Sequence, residues 1–289
     1  MRKIADQIGT PTPAMSITAQ QPPPADKTLN ILSVIGSSRN EESWTYKVQA
    51  IIEEKMNAIR PTVFDYVFIE KVALPFCDGC LHCVTVGEHS CPDFAKVGPI
   101  ATKMDAADGI VLASPVRTYA VTVLMKNFCE YFMYKRNRPS FFGKKAVVCA
   151  TASGGGHENV MEFLEGTASA WGCDVVTRLA ISSSQMWKEH YIKLVHEHAE
   201  DVAQIFVSAI EQGELGSPKF RHLMNFRGMQ NMTSNQKDSV NYKYWEERGW
   251  LNTEYYTDVP INPIARLAAG HISKKMRKAT RKGNSKPIR

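Results

Sequence analysis

Nowhere in the 289 residues do about 18 apolar residues follow one another, so no membrane-spanning helix is expected. The opening stretch MRKIADQIGTPTPAMSITAQQPPPADKT has no apolar run of the length a secretory leader needs, which makes a cytoplasmic protein the expectation. No internal repeat is visible. Cysteine is scarce, seven in all, and four of the seven crowd into CDGCLHCVTVGEHSC at Cys77, Cys80, Cys83 and Cys91. The other three, Cys129, Cys149 and Cys173, stand singly in apolar surroundings and read as core thiols. The body of the chain also lacks net charge. The formal +6 traces to HISKKMRKATRKGNSKPIR (271–289), which holds eight Lys or Arg and no acid; without it 27 basic residues face 29 acidic ones. A nucleic-acid role is therefore not the expectation, since such tails usually end in solvent.

With 44% hydrophobic residues the chain can bury a core large enough for one domain and an appendage. Residues 1–28, rich in Pro, Gln, Ala and Thr, suggest a mobile arm. From Leu29 short apolar runs alternate with helical spacing. Strands are expected at 29–36, 63–72, 109–115, 145–153 and 174–181, and helices at 43–59, 93–106, 121–135, 157–171 and 187–212. Continuous apolar strands of this kind belong to a parallel sheet covered on both faces, and right-handed crossovers leave few topologies. Beyond Gly213 the alternation stops. Residues 213–270 are aromatic enough to form an extension that packs on the core or on a partner subunit, and 271–289 form the basic tail.

In an open parallel sheet a ligand sits beyond the carboxyl ends of the strands, where strand order reverses. Three loops meet that description. The first, GSSRNEESWT (36–45), offers a glycine turn, the hydroxyls of Ser37, Ser43 and Thr45, the forked cation of Arg39 and a helix N-terminus, together a seat for one phosphate. It has neither the lysine of a P-loop nor the three glycines of a dinucleotide fingerprint. The second, SPVRTYA (114–120), leaves Pro115, Val116, Arg117 and Thr118 beside a ring. The third, TASGGGHEN (151–159), combines Thr151 and Ser153 with Gly154, Gly155 and Gly156, where the main chain can approach a flat group unobstructed. His157 either contacts the ligand or begins a helix. One phosphate seat and two planar walls point to a mononucleotide such as FMN rather than to NAD or ATP.

The spacing C-x2-C-x2-C-x7-C brings three thiolates around one small centre, with a fourth from further along. That pattern is expected to hold a [4Fe-4S] cluster, with structural zinc, or a vacant or thiol-redox site, as the alternatives.

GSSRNEESWTYK, ADGIVLASPV, LMKNF (124–128) and FFGKKAVV (141–148) resemble the NADPH-dependent FMN reductase and iron-sulfur flavoprotein family of flavodoxin-like proteins, over about 29–185. The resemblance implies strand order 2-1-3-4-5 and FMN held by its phosphate on the first loop, with Ser37, Arg39, Ser43 and Thr45 on the phosphate and Pro115, Val116, Arg117 and Thr118 along the isoalloxazine. It also implies an iron-sulfur site in the cysteine loop, and a dimer or tetramer. Many relatives carry an aromatic residue after SPV and a glycine two places on; here Arg117 and Tyr119 stand at those places. The function expected is an FMN-dependent oxidoreductase that takes electrons from NAD(P)H or a reduced carrier and passes them, via FMN and the cluster, to an acceptor among flavins, quinones, nitro or azo compounds and oxygen species, with a small molecule or a protein as donor or acceptor. The alternative is a flavodoxin-like electron carrier with no small-molecule substrate.

Overall fold

A computed structural model describes residues 21–283, with side chains described as far as residue 275. The first twenty residues of the expected arm and the last six of the basic tail lie outside the described residues. The chain runs β1 (Leu29–Ile35), α1 (Trp44–Ile59), β2 (Thr62–Phe68), α2 (Ile69–Val72), α3 (His82–Thr85), α4 (Phe94–Ala106), β3 (Gly109–Pro115), α5 (Val123–Tyr131), α6 (Tyr134–Asn137), β4 (Lys145–Ala152), α7 (His157–Trp171), β5 (Asp174–Ser182), α8 (Glu189–Gln212), α9 (Phe220–Ser234), α10 (Val240–Glu247) and α11 (Pro263–Gly283).

The five strands form one sheet in the order 2-1-3-4-5, every pair parallel. This is the flavodoxin-like arrangement that the family resemblance implies. Alternate residues of β1 serve opposite faces, as a two-residue period requires. Leu32 and Val34 join Val97, Met104, Met125, Phe128 and Leu164 of α4, α5 and α7. Leu29, Ile31 and Ile35 join Val48, Ile52, Met56, Val202 and Phe206 of α1 and α8. Both faces are thus covered, which is why β1, β3 and β4 read as unbroken apolar runs. Cys129, Cys149 and Cys173 are buried, with burial pushing each thiol up to about 12.

Three differences from the sequence expectations bear on the site. Strand β2 stops at Phe68 instead of continuing to residue 72; Ile69–Val72 make a single helical turn that Ala73 ends in a left-handed conformation, φ 51°. The helix expected over 121–135 breaks after Tyr131, and the short α6 follows. Beyond Gly213 the chain is helical rather than irregular. Phe226, Met229, Trp245 and Trp250 of this extension pack with Phe142 of the sheet domain into a separate aromatic cluster. The buried indoles keep their N–H groups satisfied, Trp245 donating to Asn137 O (2.7 Å) and Trp250 to Tyr256 O (2.9 Å). Residues 21–28 lie along the sheet domain: Lys27 pairs with Asp108 at 2.9 Å, and Arg60 donates to the carbonyls of Pro24 and Lys27. No helix of the described residues is long and apolar enough to cross a membrane.

Candidate functional site

Strands β1, β3 and β4 all end at the same edge of the sheet, and the loops after them are joined to one another. Gly36 N donates to Ala113 O (2.8 Å), carrying the β1–β3 ladder one residue past β1. The Gly36 carbonyl accepts from Thr122 Oγ1 (2.6 Å), and Thr122 is also the N-cap of α5, accepting from Met125 N. A Cβ on Gly36 would come within 2.9 Å of Met125 Cβ, so only glycine lets α5 approach this turn. Val116 N donates to Thr151 O at 2.8 Å, tying the second loop to the third. Thr45 Oγ1 and Thr151 Oγ1 share a buried hydrogen bond of 2.8 Å, tying the first to the third.

Within the first loop, Ser37 and Thr45 are buried while Arg39 is exposed, its guanidinium engaged by no described residue. Ser43 is the N-cap of α1: its hydroxyl donates to Asn40 O (2.7 Å) and accepts from Tyr46 N (3.1 Å). Its proton is thus committed to shaping the loop. Asn40, not singled out from the sequence, sits at φ 47°, a conformation asparagine tolerates better than most residues, and its buried Oδ1 has no partner among the described residues. Two buried hydroxyls and the first amides of α1 around one turn are a donor-rich concavity of the kind an anion fills.

In the second loop Pro115 closes β3, and Arg117 and Ala120 exchange both backbone hydrogen bonds at 2.9 Å around Thr118 (φ 48°) and Tyr119 (φ 58°). Two successive left-handed residues make a tight hairpin tip, a conformation that favours glycine, so Thr118 and Tyr119 hold it at a cost in backbone strain. Val116 is half-buried and Arg117, Thr118 and Tyr119 are exposed. In the third loop the glycines divide the work. A Cβ on Gly156 would lie 2.9 Å from Val116 Cγ1 and 3.1 Å from Tyr119 Cα, and its φ is 94°. Gly154 has nothing within 4 Å of its would-be Cβ, and Gly155 only Tyr119 at 3.8 Å. Gly156 therefore seats the second loop against the third, and Gly154 and Gly155 leave open main chain at the rim. Ser153 is exposed, 3.3 Å from Ser183 Oγ. His157 begins α7, its Nε2 lying 3.0 Å from Ile181 O, so its contact is with β5.

The cysteine loop leaves the same edge after β2. Cys77, Cys80, Cys83 and Cys91 line one pocket with Asp93, Tyr131 and Met133. Among the described residues no group of three or more His, Cys, Asp or Glu is already gathered as a metal site. The donor set nonetheless suits a thiophilic centre. Burial, and then the neighbouring Cys91, Cys77 and Cys80, push the Cys83 thiol up to about 11, so without a cation beside it that sulfur stays protonated. The loop has little core of its own: Gly79, Leu81 and Gly87 all have positive φ, and α3 is one turn long. Side chains from outside hold it. Asn127 of α5 accepts from Cys77 N (2.9 Å) and donates to Pro75 O (2.7 Å). Tyr131 Oη lies 2.8 Å from Asp93 Oδ2 and 3.0 Å from Pro75 O. Arg138 reaches Cys83 O, Val84 O and Glu88. Sequence reasoning finds none of these three, because each acts across about fifty residues. Helix α5 consequently links both halves of the site, from the Gly36 turn at Thr122 to the Cys77 amide at Asn127, roughly 8 Å along its axis at 1.5 Å per residue.

A model of the family described as NADPH-dependent FMN reductase matches residues 29–188, from the first residue of β1 to just past β5. An iron-sulfur flavoprotein of Archaeoglobus fulgidus is 22% identical over 233 residues, which span 77% of this chain and 100% of that protein. An iron-sulfur flavoprotein of Methanocaldococcus jannaschii is 30% identical over 144 residues, 46% of this chain and 68% of the relative. Among solved structures, an oxidoreductase from Corynebacterium diphtheriae superposes with a TM-score of 0.50 at 18% identity, covering 64% of this chain and 99% of its own; at that identity the likeness speaks to the fold alone.

Proposed function

The chain belongs to the NADPH-dependent FMN reductase family, and from that premise we propose an FMN-dependent oxidoreductase that draws electrons from NAD(P)H or a reduced carrier and delivers them to a small-molecule or protein acceptor by way of a [4Fe-4S] cluster in the cysteine loop. The observation that carries the reading is the joining of three strand-end loops at one edge, with buried hydroxyls and helix amides at one end and side-chain-free main chain at the other.

In this reading Ser37, Thr45 and the first amides of α1 bind the phosphate, Arg39 adds charge from the rim, and Ser43 and Asn40 hold the turn in shape. Pro115, Val116, Arg117 and Thr118 on one side, and Thr151, Ser153, Gly154, Gly155 and Gly156 on the other, orient a flat ring system and exclude water from one of its faces. Cys77, Cys80, Cys83 and Cys91 provide the thiolates, which suit iron-sulfur ligation better than the paired knuckles usual for zinc. The organic and inorganic groups supply the electron chemistry, pairwise with a nicotinamide and singly with a cluster, while the chain contributes position and electrostatics. No acid–base residue is required of the protein. The iron-sulfur flavoproteins of the two archaea support the cluster by their names, as does the four-thiol pocket by its chemistry.

Steady-state oxidation of NADH or NADPH by the anaerobically purified protein, with ferricyanide, a quinone or free flavin as acceptor, tests the enzyme reading. Turnover with at least one acceptor is expected. Stoichiometric reduction without turnover would identify a carrier instead.

A further inference from the structure

The cysteine loop is held from the C-terminal extension as well as from the sheet domain: α10 packs against α3, and one side chain ties the two together by hydrogen bonds. Arg138 has a side chain only 5% exposed. Its Nη2 donates to Cys83 O (2.7 Å) and Glu88 Oε2 (2.9 Å), and its Nη1 donates to Val84 O (3.2 Å) and to Asn241 Oδ1 of α10. The residues on either side are gripped by the same helix: Asn137 O accepts from Trp245 Nε1 and Pro139 O from Tyr244 Oη, both at 2.7 Å. Thus α10 sets the position of 137–139, and Arg138 carries that position into the loop. A buried guanidinium is costly unless paired, and its one carboxylate, Glu88, is itself partly exposed. Burial works to raise the Glu88 pKa, but its own backbone amide and Arg138 outweigh burial and keep the carboxyl ionised. The remaining partners are neutral carbonyls. A cation kept at this cost directly behind Cys83 is suited to a loop that gathers negative charge on its sulfurs.

We propose that Arg138 is a positioning residue through which the C-terminal extension latches the cysteine loop, and that its charge favours the reduced, more negative state of whatever thiolate-bound centre the loop holds. The second half rests on the cluster reading given above; the first does not. Four donors in a fixed fork are used at once, so lysine, a single point donor, replaces the charge but not the bridging.

The test uses the full chain purified without air, as wild type, Arg138→Gln, Arg138→Lys and Asn241→Ala. It measures iron and acid-labile sulfide per FMN, the cluster midpoint potential, and hydrogen exchange of the amides of 81–91. In Arg138→Gln iron per FMN should fall several-fold with flavin content unchanged, and any cluster retained should have a lower potential. In Arg138→Lys the potential should stay nearer the wild-type value. In both Arg138 variants and in Asn241→Ala the loop amides should exchange roughly tenfold faster or more. Arg138→Gln protein with wild-type iron, potential and exchange would overturn the proposal. Wild-type protein without iron or sulfide would remove the cluster reading and the charge role with it; the latch would then stand or fall by the exchange rates alone, unchanged rates in Arg138→Gln and Asn241→Ala refuting it.

Discussion

The three consecutive glycines of the third loop separate what the chain needs from what a ligand needs. Replacing Gly156 by alanine forces a side chain into the left-handed region at φ 94°, which costs an L-residue about 1–2 kcal/mol. The new methyl would also stand 2.9 Å from Val116 Cγ1 and 3.1 Å from Tyr119 Cα, an overpacking of about 1–3 kcal/mol. The sum is about 2–5 kcal/mol. The free protein can shed part of this by letting the second loop swing away from the third, and ligand binding must then restore the closed arrangement. If about 2 kcal/mol of the strain is recovered that way, FMN affinity falls roughly 30-fold. Gly154→Ala meets nothing within 4 Å, and Gly155→Ala only a ring carbon at 3.8 Å, so neither should alter the stability of the flavin-free protein by more than about 0.5 kcal/mol. If a flat cofactor lies against that open main chain, both still weaken FMN binding. The assay is a flavin fluorescence-quenching titration of each apo variant, paired with its thermal midpoint. Gly154→Ala and Gly155→Ala that bind FMN like the wild type would show that no ligand approaches this loop, and a Gly156→Ala protein unchanged in both measurements would refute the packing argument.

Thr45→Val or Thr151→Val alone leaves the other hydroxyl buried without its partner and should cost about 1–3 kcal/mol in urea denaturation, while the double variant should cost clearly less than the sum of the two. Asn127→Ala removes the acceptor of the Cys77 amide and the donor to Pro75 O, so iron retention should drop with FMN retained; loss of flavin alone would contradict the placement of Asn127. Glu165 of α7 is buried, accepts from Arg178 and Arg221, and lies 3.7 Å from Lys219. Burial acts to raise its pKa, but those cations outweigh it and hold the carboxyl below the usual range. Its stabilisation is therefore complete above the ordinary glutamate value of about 4.3 and is lost as pH falls through the lower folded value. Acid titration of the thermal midpoint should show this limb, and Glu165→Gln should lack it and be less stable by about 2 kcal/mol at neutral pH.

The sheet is legible in the sequence because its chemistry is local: β1 and β3 are apolar runs ending in turn residues, Ser43 is a good N-cap, and Gly172 stops α7 where the apolar spacing stops. The edge strand β2 is overextended in the sequence reading since VFDYVFIEKV still offers Ile69 and Val72 past Phe68, and nothing local marks the left-handed turn at Ala73. Helix α9 escapes notice because Leu223, Phe226, Met229 and Thr233 form a narrow buried stripe in a segment otherwise rich in Asn, Gln and Arg; its partner surface, Phe142 and the extension's own tryptophans, is distant in sequence. The three loops of the edge are found from their glycines and hydroxyls, whereas their interlocking is not, since the Thr45–Thr151 bond spans 106 residues and the Gly36–Thr122 bond 86. The same holds for Arg138, whose neighbours in sequence give no hint that its partners are Cys83, Glu88 and Asn241.

The most direct measurement is an anaerobic absorption spectrum of the freshly purified protein, followed by titration of the flavin-free chain with FMN. Expected are the bands of an oxidised flavin over a broader iron-sulfur absorbance that bleaches on reduction, and saturable uptake of one FMN per chain. A colourless protein that takes up no FMN would contradict the proposed function, whatever the thiols of the loop then prove to hold.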